Sequence, residues 1–392
     1  MTEDVFITAA RRTPIGGFQG VLSVVPAAQL GVAAVKAVLA DSLLPADRIS
    51  EVILGCVLQA GVGQGPARQA ALGGGIPASV PTATINKLCG SGMKAIMLGY
   101  DQIRSESAAV VLAGGLESMS NAPYMLLKAR QGYRMGHDKV YDHMFHDALL
   151  SPFDDKLMGN YADATAEKYG FTREQQDAYA TESVERALAA CEGGAFAKEI
   201  TPLEVTDRKG VRSVSRDETP YTCDIAKIPT LRPAFSKTGT VTAASSSSIS
   251  DGAAAVMLMS GAALREHKSV PMARIVAHAS HAQAPEWFTT APVTAIKSVL
   301  AKAGWRASDV DLFEINEAFA CVTMAAVHDV DLDHTKVNVN GGACALGHPV
   351  GATGARIVTT LIYALAARGL KRGVAALCIG GGEATAVALE LV

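Results

Sequence analysis

No stretch of this 392-residue chain is a run of about 20 apolar residues, the length a membrane-spanning helix needs. Its opening, MTEDVFITAARRTP, lacks a basic segment followed by an apolar one, so no signal peptide is expected and a cytoplasmic location is. A basic excess is missing too. Lys and Arg number 35 against 38 Asp and Glu, a net charge of -3, which argues against binding nucleic acid through its phosphates. Paired cysteines are absent. The seven stand alone at 56, 89, 191, 223, 321, 344 and 378, with no C-x-x-C and no His in zinc spacing, so neither a disulfide framework nor a metal site is expected. Charged residues are only 19% while hydrophobic ones are 49%, which excludes general disorder and leaves ample material for a core.

What is present repeats. Residues 108–119, AAVVLAGGLESM, and 374–384, VAALCIGGGEA, are apolar runs ending in glycines and then Glu. They lack helical polar spacing and read as buried strands. Before them come LCGSGMKAI (88–96) and LGHPVGATGARI (346–357), in which Cys89 and His348 each stand three residues before a glycine. Further back lie EVILGCV (51–57) and DLFEINEAF (311–319), helices at 27–42 and 291–304, and opening strands at 5–10 and 273–279. The chain is therefore two copies of one unit of alternating strands and helices. This implies an α/β fold of two pseudo-symmetric βαβαβαββ halves, mostly parallel sheet covered by helices, in a layered αβαβα arrangement.

The second copy closes with a hairpin through residue 392, so residues 251–260 should be the return strand of the first. An insertion then occupies the turn between. The expected division is 1–119 plus 249–271 for one half, 120–248 for an inserted loop subdomain, and 272–392 for the other half. An insertion that long should form helices of its own. One is signalled at 172–190, where Thr172 and Gln175 stand at capping-box spacing. Growing from the turn beside the glycine-rich strand ends, it reads as a lid or substrate grip, or equally as a structural or oligomer-forming element.

Cys89 and His348 occupy the same slot in the two copies, each ahead of a helix rich in small residues. A pseudo-twofold axis would bring the two helix N-termini together, with the dipole favouring the Cys89 thiolate and His348 taking its proton. The small residues around Cys89 should admit a carbonyl and leave backbone N–H groups for an oxyanion. Cys378, ahead of Gly380, Gly381 and Gly382, suits either a second acid–base thiol or a buried cysteine by a tight turn. Asn316 suits a capping residue for a helix starting at 317 better than a ligand-orienting one. The stretch GVGQGPAR (61–68) is not a dinucleotide loop: its glycines lack G-x-G-x-x-G spacing and no acid follows about 20 residues on.

Together NKLCGSGMKA (86–95), NEAFA (316–320), GGACALGHPVGATGARI (341–357) and CIGGGEA (378–384) resemble the thiolase family across essentially the whole chain, most of all its acetyl-CoA C-acetyltransferase branch. The resemblance implies that Cys89 is the nucleophile, His348 its activator and Cys378 the second acid–base thiol. It implies one oxyanion hole from His348 and a water held by Asn316, and another from the N–H groups of Cys89 and Gly380. Ser247, Ala243 and Phe235 would line the coenzyme A channel, with Phe319 and Met158 at the acyl end. The substrates would be acetyl-CoA and coenzyme A, with no further cofactor and no metal, in a homotetramer (a dimer of dimers) serving fatty acid metabolism. Three positions depart from the pattern: Ser248 replaces a glycine, Leu157 a histidine, and Pro220 stands near a usual arginine. The alternatives are a 3-ketoacyl-CoA thiolase of broader specificity and a decarboxylating ketoacyl synthase. Cys378 speaks against the latter. A non-catalytic acyl-CoA scaffold would need none of the three reactive side chains.

Overall fold

The structure, a computed structural model, describes residues 3–208 and 210–392. Nine strands form its main sheet: β1 Val5–Arg12, β2 Glu51–Gly55, β3 Thr82–Ile85, β4 Val110–Ser118, β5 Ser250–Ser260, β6 Ala273–Ala282, β7 Leu312–Ile315, β8 Arg372–Ile379 and β9 Glu383–Leu391. Their order is β7-β8-β9-β6-β1-β5-β4-β2-β3, and Gly16–Gly17 adds a short pairing to β5. Reading outward from the β6–β1 junction, each side runs opening strand, return strand, glycine-ended strand, edge-ward strand. The two copies in the sequence are thus the two arms of the sheet. They join through only three residue pairs, Val5 to Ile275, Phe6 to Arg274 and Ile7 to Ala273. The first arm carries β3 as an extra edge strand. In the second arm its counterpart is a single bridge between Phe313 and Val337.

Eight longer helices matter here: α1 Ala27–Ser42, α2 Pro66–Gly73, α3 Ser91–Arg104, α4 Met158–Tyr169, α5 Arg173–Glu192, α6 Ala291–Ala303, α7 Ala320–Val330 and α8 Thr353–Arg368. Side chains alternate across a strand, and β5 is buried on both faces, so its residues sort into two cores. Ala254, Val256 and Leu258 face α3 and α8. Ala255, Met257 and Met259 face α1 and α2. On the other arm Val387 and Leu389 of β9 join the first core, while Ala384, Ala386 and Ala388 pack against α6. Helices α3 and α8 therefore form a middle layer, flanked by the arms and then by outer helices. Each large aliphatic side chain buried there contributes about 1.5–3 kcal/mol.

Glycine at two equivalent places lets the middle helices touch. A Cβ on Gly92 would lie 2.9 Å from the backbone nitrogen of Ala355, and one on Gly354 would lie 2.2 Å from that of Met93. The N-terminal turns of α3 and α8 are thus held backbone to backbone.

The stretch between β4 and β5 holds α4, α5 and a hairpin pairing Leu203–Asp207 with Gly210–Val214. Thr172 caps α5: its hydroxyl accepts from the Gln175 amide at 3.2 Å, and Gln175 Oε1 accepts from the Thr172 amide at 2.9 Å. Arg12 of β1, wholly buried, is bonded to Glu199 at 2.5 Å and to Asp217 at 2.7 Å. It fastens this segment to the sheet. Removing one partner of such a buried pair costs roughly 3–5 kcal/mol.

Candidate active site

Cys89 stands between the end of β3 and the start of α3. Leu88 before it is in the left-handed region, φ 47, a strained conformation for a branched side chain. Ser91 stabilises this turn: its Oγ accepts from the Lys87 amide at 2.8 Å and donates to the Leu88 carbonyl at 2.7 Å. His348 sits in the matching turn before α8. Its amide donates to the carbonyl of Ser248 at 3.1 Å and reaches Oγ of Ser250 at 3.2 Å.

Cys89, His348, Gly380, Ser247, Phe235, Phe319 and Met158 line one cavity of about 220 Å³, walled otherwise by apolar side chains that include Leu149, Leu157, Phe288 and Val350. The segment holding Ser247 is laid against NEAFA. The Ser247 amide donates to the Ala318 carbonyl at 2.9 Å and the Ala320 amide to Ser245 at 2.8 Å. Phe235 meets Phe319 edge to face at 5.8 Å. Gly159 makes room for Phe235, whose ring would lie 2.2 Å from any Cβ there.

Three of the expected residues do not line the cavity. Ala243 is exposed. Asn316 is 1% exposed, and neither its Oδ1 nor its Nδ2 has a protein partner among the described residues. It does not begin a helix, since α7 starts at Ala320. Cys378, at the end of β8, is fully buried with Phe319, Cys321 and Tyr161. Of the departures, Leu157 lines the cavity, Ser248 turns its hydroxyl to Ser250 at 3.2 Å, and Pro220 is buried in a short turn. A larger open groove of about 890 Å³ runs along α4 past Asp163, Glu167 and Trp287, and none of the expected residues reaches it.

The electrostatics correct one expectation. Burial pushes the Cys89 thiol up to about 11, against the pull of the N–H groups of Gly380 and of Cys89 itself. Desolvation outweighs the helix end, so the cysteine rests as a thiol. Both amides nevertheless point at the sulfur. Cys378 is raised well above its ordinary value, first by burial and then by Cys89. His348 is lowered to about 3 by burial and by Arg356, so it is neutral. Its Nδ1 lies 2.6 Å from Oγ1 of Thr353, and its Nε2 has no protein partner among the described residues.

The space around the cysteine also differs from expectation. A Cβ on Gly90 would meet Ile379 at 2.3 Å, and one on Gly92 would meet α8. These glycines serve close packing rather than access to the sulfur. Thr353 and the buried Glu117 escaped sequence reasoning. Glu117 accepts from the amides of Val57 (2.9 Å), Leu58 (3.1 Å) and Gly351 (2.9 Å), while burial pushes its pKa up to about 7. The signal for it was present: both copies end their glycine runs in Glu.

A layered α/β fold in which a cysteine and a neutral histidine from two pseudo-symmetric halves line one apolar cavity has the parts of an acyl-transfer site. Residues 5–262 match the thiolase N-terminal domain and residues 269–391 the thiolase C-terminal domain. The chain belongs to the thiolase family. It is 48% identical over 389 residues to an acetyl-CoA acetyltransferase of Pseudomonas aeruginosa, covering 99% of both chains. It is 49% identical over 392 residues to acetyl-CoA acetyltransferase 2 of Arabidopsis thaliana, covering 99% of this chain and 97% of that one. The crystal structure of the Bacillus anthracis acetyl-CoA acetyltransferase superposes with a TM-score of 0.97 at 40% identity, covering 100% of this chain and 99% of that one.

Proposed function

We propose that this enzyme is an acetyl-CoA C-acetyltransferase, reversibly joining two acetyl-CoA into acetoacetyl-CoA and coenzyme A. The observation that carries the reading is that Cys89 and Gly380, from opposite halves, line one apolar cavity together with His348. Full-length relatives that bear the acetyl-CoA acetyltransferase name support it.

In the proposed reaction, Nε2 of His348 takes the Cys89 proton as the sulfur attacks the acetyl-CoA carbonyl. The oxyanion rests on the amides of Cys89 and Gly380, the carbon–sulfur bond to coenzyme A breaks, and the departing thiolate takes the proton of the Cys378 thiol while His348 keeps the one from Cys89. Cys89 is then an acetyl thioester. Cys378, now a thiolate, removes a methyl proton from a second acetyl-CoA, whose enolate oxygen accepts from the protonated His348 and from a water on Asn316. The enolate carbon attacks the acetyl group, and Cys89 leaves as thiolate and recovers its proton from His348. The two unpartnered ends of the Asn316 amide favour this role, since buried polar atoms need partners.

The finer readings belong to the same proposal. Residues 120–248 form a subdomain that grips coenzyme A, with Ser247 and Phe235 at the channel and Ala243 at its outer end. Residues 1–119 with 249–271, and 272–392, are the halves. The enzyme is a cytoplasmic homotetramer needing no cofactor beyond its substrates. Exposed Tyr124, Leu126, Leu127 and Met135 favour self-association. Among the described residues no helix is long and apolar enough to cross a membrane.

The decisive experiment mixes the enzyme with acetyl-CoA, quenches in acid and maps the modified peptide by mass spectrometry. An acetyl group on Cys89 with release of one coenzyme A is expected. No adduct, or one on another cysteine, would refute the reading.

A further inference from the structure

The two glutamates that follow the glycine runs in the sequence stand on different kinds of strand, Glu117 at the end of a glycine-ended strand and Glu383 at the start of a return strand, and each crosses to the other arm. Glu117, at the end of β4, binds the Val57 and Leu58 amides of its own arm. Its Oε2 also accepts from the amide of Gly351, three residues after His348 in the opposite arm. Glu383, opening β9, pairs with Lys87, two residues before Cys89 in the opposite arm. Lys87 is in turn bridged to Cys89. One glutamate thus holds the turn of the base, and the other the turn of the nucleophile.

We propose that Glu117 and Glu383 are positioning residues that set the two catalytic turns against each other across the pseudo-twofold axis. The inference rests on the acyl-transfer reading above. The two amides aimed at the Cys89 sulfur come from different arms, Cys89 from one and Gly380 from the other, and no single strand fixes their separation. The Lys87–Glu383 pair spans that same gap: Glu383 is three residues from Gly380, and Lys87 two from Cys89. Every partner of Glu117 is a donor, Cys56 Sγ at 3.7 Å included, so the carboxylate form satisfies them all. Bonds from amides to a carboxylate are the stronger, shorter kind and suit a geometric constraint. Misplacing reacting groups by about 1 Å costs on the order of 100-fold in rate.

The test measures single-turnover acetylation of Cys89 by acetyl-CoA at about pH 8, above the Glu117 pKa. The enzymes are wild type, Lys87→Met, Glu383→Gln, the charge-swapped Lys87→Glu/Glu383→Lys, and Glu117→Gln. The Lys87 and Glu383 side chains are 24% and 38% exposed, so breaking their pair should leave the melting temperature nearly unchanged. Each single variant of that pair should acetylate about 10-fold or more slowly at saturating acetyl-CoA with KM within about twofold, and the swapped pair should recover most of the loss. Glu117→Gln places a donor among donors and should slow acetylation about 100-fold. Singles as fast as wild type, or a swapped pair as slow as the singles, would overturn the Glu383 half of the inference. Full activity in a folded Glu117→Gln would overturn the other half, and if that variant does not fold Glu117→Asp decides it: the shorter carboxylate keeps the charge but draws back from the Gly351 amide, so acetylation should slow at unchanged KM, and wild-type speed would overturn that half. Wild type that fails to acetylate Cys89 at all would instead sink the functional reading.

Discussion

Oγ1 of Thr353 lies 2.6 Å from Nδ1 of His348 and 3.0 Å from the Pro349 carbonyl. With the hydroxyl proton given to the carbonyl, Nδ1 carries the ring proton and Nε2 is left with its lone pair, the tautomer that the proposed base role needs. Thr353→Val removes the acceptor at nearly constant shape and frees the ring to turn or change tautomer. We expect kcat for acetoacetyl-CoA thiolysis to fall about 10- to 100-fold, part of the 10²–10⁴ that a general base supplies. Thr353→Ser should stay close to wild type. Steady-state kinetics of both variants check this, and equal losses in Val and Ser would mean that packing, not the hydroxyl, matters.

The low pKa of His348 has a consequence for stability. The unfolded chain binds a proton at this ring near the ordinary value of about 6.5, while the folded one resists until about pH 3. The folded-state pKa is depressed, so the contribution is present above about 6.5 and lost as pH falls from there toward 3. His348→Asn abolishes the titration. Between pH 7 and pH 5 the wild type should lose about 2 kcal/mol more unfolding free energy than the variant. Urea unfolding at the two pH values measures the difference. Parallel losses would show that the ring is not buried neutral.

Much of this was legible because it was local. The capping box at Thr172 is a single short-range pattern, and the strand–helix alternation and the turns that carry Cys89 and His348 are short-range patterns that occur in both copies. What escaped depended on distance in three dimensions. Cys89 was expected to be acidified by its helix. The cost of desolvating a thiolate packed against the cluster of Val57, Leu58, Met119, Met144 and Val350 outweighs that dipole, and no pattern near residue 89 reports it. Asn316 read as a helix cap because Glu317 and Ala318 suit a first turn. The chain instead turns tightly after the strand, the Ala318 amide donating to the Asn316 carbonyl at 3.0 Å, and Phe319 forms a bridge with Ser246 before α7 begins. Glycines 90 and 92 read as open approach because nothing in the sequence says that Ile379 and α8 fill that space.

In the proposed reaction the half-buried Cys89 and the buried Cys378 take different steps, and substitution should separate them. Cys89→Ala should fold normally and show no acyl transfer. Cys378→Ser should still take an acetyl group on Cys89 but make no acetoacetyl-CoA, because a serine hydroxyl is a poor acid–base group where a thiol serves. Acid-quenched mass spectrometry reports the first step, and the absorbance of acetoacetyl-CoA enolate the second. A Cys378→Ser enzyme that condenses at the wild-type rate would remove that thiol from the mechanism.

Gly92→Ala tests the contact on which the whole site is hung. The new methyl would sit 2.9 Å from the Ala355 nitrogen in the first turn of α8 and 3.0 Å from the Gly351 oxygen in the turn that follows His348, both backbone atoms. Neither can swing aside, so α3 and α8 must separate. A loss of about 1–3 kcal/mol is expected, read as a lower thermal midpoint. An unchanged midpoint would show that the helices have slack.

Acyl chain length turns on Met158. A Cβ on Gly380 would lie 3.4 Å from Leu88 and 3.5 Å from the Met158 sulfur. Met158 and Gly380, with Ala148, line both the cavity at Cys89 and a second one of about 300 Å³ that Leu88, Phe153, Pro285 and Gly381 also line, and so part the two. Met158→Ala should join the two. 3-Ketohexanoyl-CoA adds two methylenes to acetoacetyl-CoA, and each CH₂ that becomes buried is worth about 0.8 kcal/mol. Thiolysis kcat/KM for the longer substrate, relative to acetoacetyl-CoA, should therefore rise about 10-fold in the variant. Leu157→His, on the neighbouring wall, leaves the partition standing and should not shift that ratio. A Met158→Ala enzyme with the wild-type ratio would place the chain-length limit elsewhere, at Phe319 or Phe288 on the opposite side of the cavity.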